Sequence, residues 1–154
     1  MRPVVLGTLC AALLCARSAS AQTTKLTIAG CTCNMGNNTL AEYQAGFKVS
    51  ATTVTYTILN TSGAPARTTS VYIHAASATM TGGKPVSECE WQRTGTGTWT
   101  ALSTVDALVE TQALASAVNS TWNNSVSLRC SLDWVNDPPA SQSIGLVFTL
   151  KVTP

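Results

Sequence analysis

Ser125-Val126-Ser127-Leu128-Arg129-Cys130-Ser131-Leu132-Asp133-Trp134 reads with a period of two, and so does Ile144-Gly145-Leu146-Val147-Phe148-Thr149-Leu150-Lys151-Val152. Between them stands Asn136-Asp137-Pro138-Pro139, which breaks any ladder because neither proline can donate a backbone hydrogen bond. Alternation of this kind places successive side chains on opposite faces of a strand. Val126, Leu128, Cys130, Leu132 and Trp134 should therefore face a core, as should Ile144, Leu146, Phe148, Leu150 and Val152. The C-terminal third is expected to hold two half-buried antiparallel strands.

The same period recurs towards the N-terminus. Leu26 and Ile28 share a face, and Val71 and Ile73 share another with Tyr72 and His74 opposite. Phe47, Val49 and Ala51 share a phase that slips to Val54, Tyr56 and Ile58, which suggests a bulge or a bend between sheets. Glu88–Gln92 and Thr98–Ala101 flank Thr94-Gly95-Thr96-Gly97, the composition of a hairpin turn. Thr111–Val118 is the one helical candidate, though its neighbours favour a strand and loop. About seven to nine short strands with turn signals between them predict an all-β fold, an antiparallel immunoglobulin-like β-sandwich.

The N-terminus has a different character. Arg2 precedes thirteen apolar or small residues, Val4–Ala16, and Ala19-Ser20-Ala21 offers a small-residue cleavage site before Gln22. Residues 1–21 thus read as a secretory signal peptide and 22–154 as a single sandwich domain. The 154-residue chain carries 9 Lys+Arg against 7 Asp+Glu. Arg2 and Arg17 lie in the leader, so the remainder has seven basic and seven acidic residues and no net charge. That excludes the electrostatic footprint of a nucleic-acid binder. No apolar run approaches the roughly 18 residues of a spanning helix, so no membrane span is expected once the leader is removed. The exterior is polar without being charged: residues 22–154 hold 23 Thr and 13 Ser. A secreted, extracellular or cell-surface location follows, reached through the periplasm in a bacterium.

Cys10 and Cys15 fall in the leader, leaving Cys31, Cys33, Cys89 and Cys130. Four cysteines in an exported chain predict two disulfides. Cys31 and Cys33 are too close to pair comfortably, so each is expected to reach Cys89 or Cys130. Cys31, Cys33, Met35, Met80 and His74 are also the residue types of a soft copper(I) site, which oxidation of the thiols would abolish.

No nucleophile elbow, P-loop or dinucleotide fingerprint occurs, and His74 and the pair Glu88 and Glu90 are assigned to solvent-facing strand positions. No catalytic set, cofactor or metal is therefore expected, and the chain reads as a non-enzyme. Trp99, Trp122 and Tyr43 are candidate ligand-binding aromatics for a glycan, Trp122 standing in the polar Asn119–Asn124 stretch. Four N-x-[ST] sequons occur, at Asn37, Asn60, Asn119 and Asn123. Leu146, Phe148, Leu150 and Val152 mark a candidate assembly edge, since a long terminal strand can pair with a neighbour and few lysines (Lys25, Lys151) guard the edges.

The leader, the early Cys33-Asn34-Met35-Gly36 and the final Gly145-Leu146-Val147-Phe148-Thr149-Leu150 strand together resemble small exported bacterial sandwich proteins of the spore coat U and pilin-like groups. The Leu-x-Phe-Gly signature of the spore coat U type is absent, and Val152-Thr153-Pro154 lacks the near-terminal tyrosine of usher-assembled pilins. The resemblance implies a structural subunit of a fibre, pilus-like filament or coat, with self-association or other surface subunits as partners. A secreted carbohydrate-binding or adhesion module and a periplasmic copper protein are the other expectations.

Overall fold

The computed structural model describes residues 16–18, 24–60, 66–114, 120–137 and 140–153. The C-terminal alternation becomes β10 (Ser120–Ser131) and β11 (Gln142–Thr153), each the central strand of its own sheet. β10 is flanked by β5 (Val54–Asn60) and β7 (Cys89–Arg93), and the sheet continues to β2 (Thr24–Ala29) on one side and β8 (Thr100–Ala101) on the other. β11 is flanked by β6 (Arg67–Ala75), with β9 (Ala107–Leu114) beyond it. On the far side of β11 lie β3 (Thr32–Gly36) and the short β1 (Ala16–Ser18). Every pairing is antiparallel except β1 on β11, which is parallel.

The two sheets share one core. Val54, Tyr56 and Ile58 of β5 and Val126 and Leu128 of β10 meet Val71, Ile73, Leu146, Phe148 and Leu150 from the other sheet. The rings of Tyr56 and Phe148 lie 5.7 Å apart across it. The expected inward sets of β6 and β11 are thus the observed ones, with Val152 partly buried against the cluster. The hairpin at Thr94–Gly97 also forms, Glu90 facing Ala101 and Trp91 facing Thr100.

Four expectations are corrected. The alternating face does not reach Trp134: β10 ends at Ser131, a turn follows, and Trp134 is 61% exposed, stacked at 4.2 Å on Tyr43. Phe47 and Val49 form β4 (Phe47–Val49) but point outward, and Lys48 is the residue turned in. The phase slip before Val54 is therefore a break into two strands that both pair with β10, not a bend between sheets. A helix, α1 (Leu40–Ala45), stands where none was foreseen, started by a Thr39–Glu42 capping box and stopped at Gly46, whose φ of 75° suits the glycine. The helical candidate at Thr111 is strand as far as Leu114, and residues 115–119 lie outside the described set.

The fourth correction concerns sulfur. Cys89 and Cys130 bond to each other, because the β7–β10 register sets them directly opposite with Cα atoms 4.0 Å apart. Cys33 is left as a buried thiol against Ser50 Oγ at 2.8 Å, burial pushing its pKa up. Cys31 is disulfide-bonded apart from this pair. The cross-pairing of Cys31 and Cys33 with Cys89 and Cys130 does not form.

Candidate functional site

The aromatic candidates are not brought together. Trp122 is on strand β10, not in a loop, and packs edge-on against Tyr56 at 5.9 Å. Tyr43 is buried on α1, its hydroxyl donating to the Asp137 carbonyl. Trp99 is half-buried, as Trp122 is, with the Arg129 guanidinium 4.4 Å from its ring and 5.6 Å from that of Phe47. Beside them opens a groove of about 420 Å³ lined by Phe47, Glu88, Glu90, Arg129 and Ser131 among others. Glu90 is held by Arg129 Nε at 2.6 Å and Glu88 by Lys84 at 2.5 Å, so neither carboxylate stands unpartnered.

The soft-metal candidates are dispersed as well. The Met80 thioether packs 3.5 Å from Cys89 Sγ, and His74 lies on the outer face with Nδ1 2.8 Å from Asp106. Among the sequons, Asn60 is only 1% exposed and accepts a hydrogen bond from Thr24, so its side chain is closed to a glycan; Asn37 and Asn123 are exposed, and Asn119 lies outside the described residues.

Two polar clusters that sequence reading missed lock the ends of the fold. Lys84, almost fully buried, donates to both carboxylate oxygens of Asp137 at 2.9 Å and to Glu88. Burial acts to lower the Lys84 pKa, but the two carboxylates prevail and raise it. Glu110 of β9 reaches inward, 8% exposed, to the Tyr56 hydroxyl, the Arg93 guanidinium and Asn124. Burial pushes its carboxyl up to about 7, against the opposing hydrogen bond from Asn124.

What remains distinctive is the outline of the five-stranded sheet. Among the described residues β9 pairs only with β6, which leaves its other side an edge eight residues long with no described partner. Its single charge, Glu110, points into the protein, while Leu108 is 51% exposed. No lysine or proline blunts it, whereas the six-residue edge β2 carries exposed Lys25 and the edge β8 is two residues long.

The assembly edge expected at Leu146, Phe148, Leu150 and Val152 is placed differently. The first three side chains are core, and in the full chain β11 is an interior strand covered on both sides. The backbone explains the remainder. Gly145 O accepts from Ala76 N on the β6 side, and Leu146 N donates to Cys31 O on the other. Because alternate residues direct their peptide groups to opposite sides, Phe148, Leu150 and Val152 aim theirs away from β6. β3 covers this side over Gln142–Gly145 and β1 over Phe148–Leu150.

No family model, no curated protein and no solved structure matches the chain. Among the described residues no helix is long and apolar enough to cross a membrane.

Proposed function

We propose that this chain is exported by removal of residues 1–21 and serves as a non-enzymatic structural subunit of an extracellular or cell-surface assembly. The observation that carries the reading is the open β9 edge, eight residues long with no outward charge. Unpaired edges template further pairing unless something blunts them, and a chain without net charge offers no repulsion between copies. The two-sheet arrangement is read as an immunoglobulin-like sandwich, supported by the neighbour order β2-β5-β10-β7 in one sheet; its disulfide joins two strands of one sheet, unlike the inter-sheet bridge of antibody domains. Thr111 and Ala113 are exposed on β9, so Thr111→Lys with Ala113→Lys would place two charges on the edge while leaving the core intact. The processed protein should sediment as concentration-dependent large species, and the double variant as a monomer. A monomeric wild-type protein at high concentration contradicts the proposal.

A second reading is favoured by the groove at Trp99, Phe47 and Arg129: glycan binding by a secreted module. Aromatic rings beside carboxylates and hydroxyls are suitable for sugars, but the guanidinium occupies the ring faces and a sugar would have to displace it. Titration with a glycan panel should then quench tryptophan fluorescence in the wild type and not in Trp99→Ala; an unchanged spectrum throughout rejects this reading.

A further inference from the structure

Resting on the assembly reading, we infer that β9 pairs with β9 of a second copy, antiparallel about a two-fold axis at Gln112, so that two five-stranded sheets become one. The direction of the peptide groups sets this register. In β6, Ala75 N donates to Ser103 O, just ahead of β9, whereas Ala76 N donates to Gly145 O of β11. Odd-numbered residues of β6 therefore turn their backbone groups towards β9. Glu110, Gln112 and Leu114 stand opposite them and answer, and Gln112 O also accepts from the Thr69 hydroxyl at 3.1 Å. Thr111 and Ala113, both exposed, are left with N–H and C=O aimed outward. Beyond Glu110 the register shifts by one residue, so that Leu108 faces Tyr72 and Val109 is the extra residue of a bulge. The outward groups thus fall on Leu108, Thr111 and Ala113, and the bulge bars a continuous ladder over the first half of the strand.

A second copy is the occupant that this short ladder suits. With Gln112 on the axis, Thr111 stands opposite Ala113 of the second copy and Ala113 opposite its Thr111, both as hydrogen-bonded pairs. Centring on Thr111 would set Ala113 against the bulged Val109 and spoil those pairs. On the inner face Gln112 meets its own counterpart, and a side-chain amide both donates and accepts. Glu110 falls opposite Leu114 rather than a second carboxylate, and Tyr56, Arg93 and Asn124 already hold it, so no charge is stranded at the seam. The buried Nε of Arg67 has no hydrogen-bond partner among the described residues. Arg67 pairs with Leu114, which puts this guanidinium one strand away from Glu110 of the second copy, opposite charges on the two sides of the seam. Such a contact closes on itself. The dimer, presenting every other surface twice, is then the unit from which larger species grow.

The test uses the purified full chain and substitutions on β9. Gln112→Cys puts a thiol on the axis, in a non-hydrogen-bonded pair whose Cα atoms lie about 4.5 Å apart, within reach of a disulfide. Thr111→Cys is the control, offset from its own counterpart by two positions along the strand and too far for a bridge. Mild oxidation should cross-link Gln112→Cys into dimers on a denaturing gel and leave Thr111→Cys no more cross-linked than the wild type. Thr111→Lys/Ala113→Glu sets opposite charges against each other at both hydrogen-bonded pairs, so it should sediment as the wild type does, whereas Thr111→Lys/Ala113→Lys should be monomeric. Association should protect the Thr111 and Ala113 amides from hydrogen–deuterium exchange and leave that of Leu108 exchanging. Association without the Gln112→Cys cross-link, or association that both charge variants lose, overturns this register and leaves the assembly reading standing. Failure of the wild type to associate, or association kept by Thr111→Lys/Ala113→Lys, removes the assembly reading and this inference together, because the β9 edge on which both rest lies outside residues 1–21.

Discussion

At the scale of single residues, the two buried carboxylate clusters decide most. Asp137 and Lys84 are both buried, and each satisfies the other. Asp137→Ala should cost about 3 kcal/mol, because it removes the buried partner of the Lys84 ammonium and leaves it only the more exposed Glu88; replacing Lys84 and Asp137 by Met and Leu should recover much of that loss. Urea unfolding of the two variants measures the difference. Glu110 gives a pH dependence of definite sign. Its carboxyl titrates at about 7 in the fold against 4.5 ordinarily, so between these values the folded state binds more protons than the unfolded. Its stabilising contribution is complete below the ordinary value and is lost as pH rises through about 7. The urea midpoint should fall from pH ~5 to pH ~8 in the wild type, and less steeply in Glu110→Gln. An equal slope in both would contradict the assignment. Neither cluster was legible in the sequence: Lys84 and Glu88 stand four residues apart, but the buried partner Asp137 comes from a segment 53 residues further on, and no local pattern brings it to them.

At the scale of elements, periodicity gave the inward faces of β6 and β11, and that of β10 from Val126 to Cys130, because each has one face in the core and a one-residue slip would expose it; β10 itself begins earlier, at Ser120, and ends at Ser131. It failed at β4, where the inward position is occupied by Lys48, whose ammonium is held by the Asn37 carbonyl and by Glu42 at 3.1 Å. It missed α1, although Thr39 and Glu42 at capping-box spacing with Gly46 beyond were there to be read. Trp134 misled because it continues a strand pattern three residues past the end of β10 at Ser131. The disulfide was assigned wrongly because sequence distance says nothing of cross-strand register. Cys89 and Cys130 enclose a 41-residue separation, so their joint replacement by Ala should lower stability by about 3–4 kcal/mol, read from denaturant midpoints. A loss below ~1 kcal/mol would mean that the β7–β10 ladder holds this pairing unaided.

At the scale of the whole molecule, the absence of charge seen in composition acquires a location. Among the described residues most charged side chains are paired: Lys48 with Glu42, Lys84 with Glu88 and Asp137, Arg93 with Glu110, Arg129 with Glu90. The long edge β9 is left with none facing outward. The edge sought on β11 is not an open one: Leu146, Phe148 and Leu150 are core side chains, and the strand is paired on both sides. The most direct measurement is sedimentation of the processed protein over a wide concentration range, beside Thr111→Lys/Ala113→Lys. Assembly through β9 predicts large species for the wild type and monomers for the variant. Monomers for both, or assemblies of equal size for both, would contradict it.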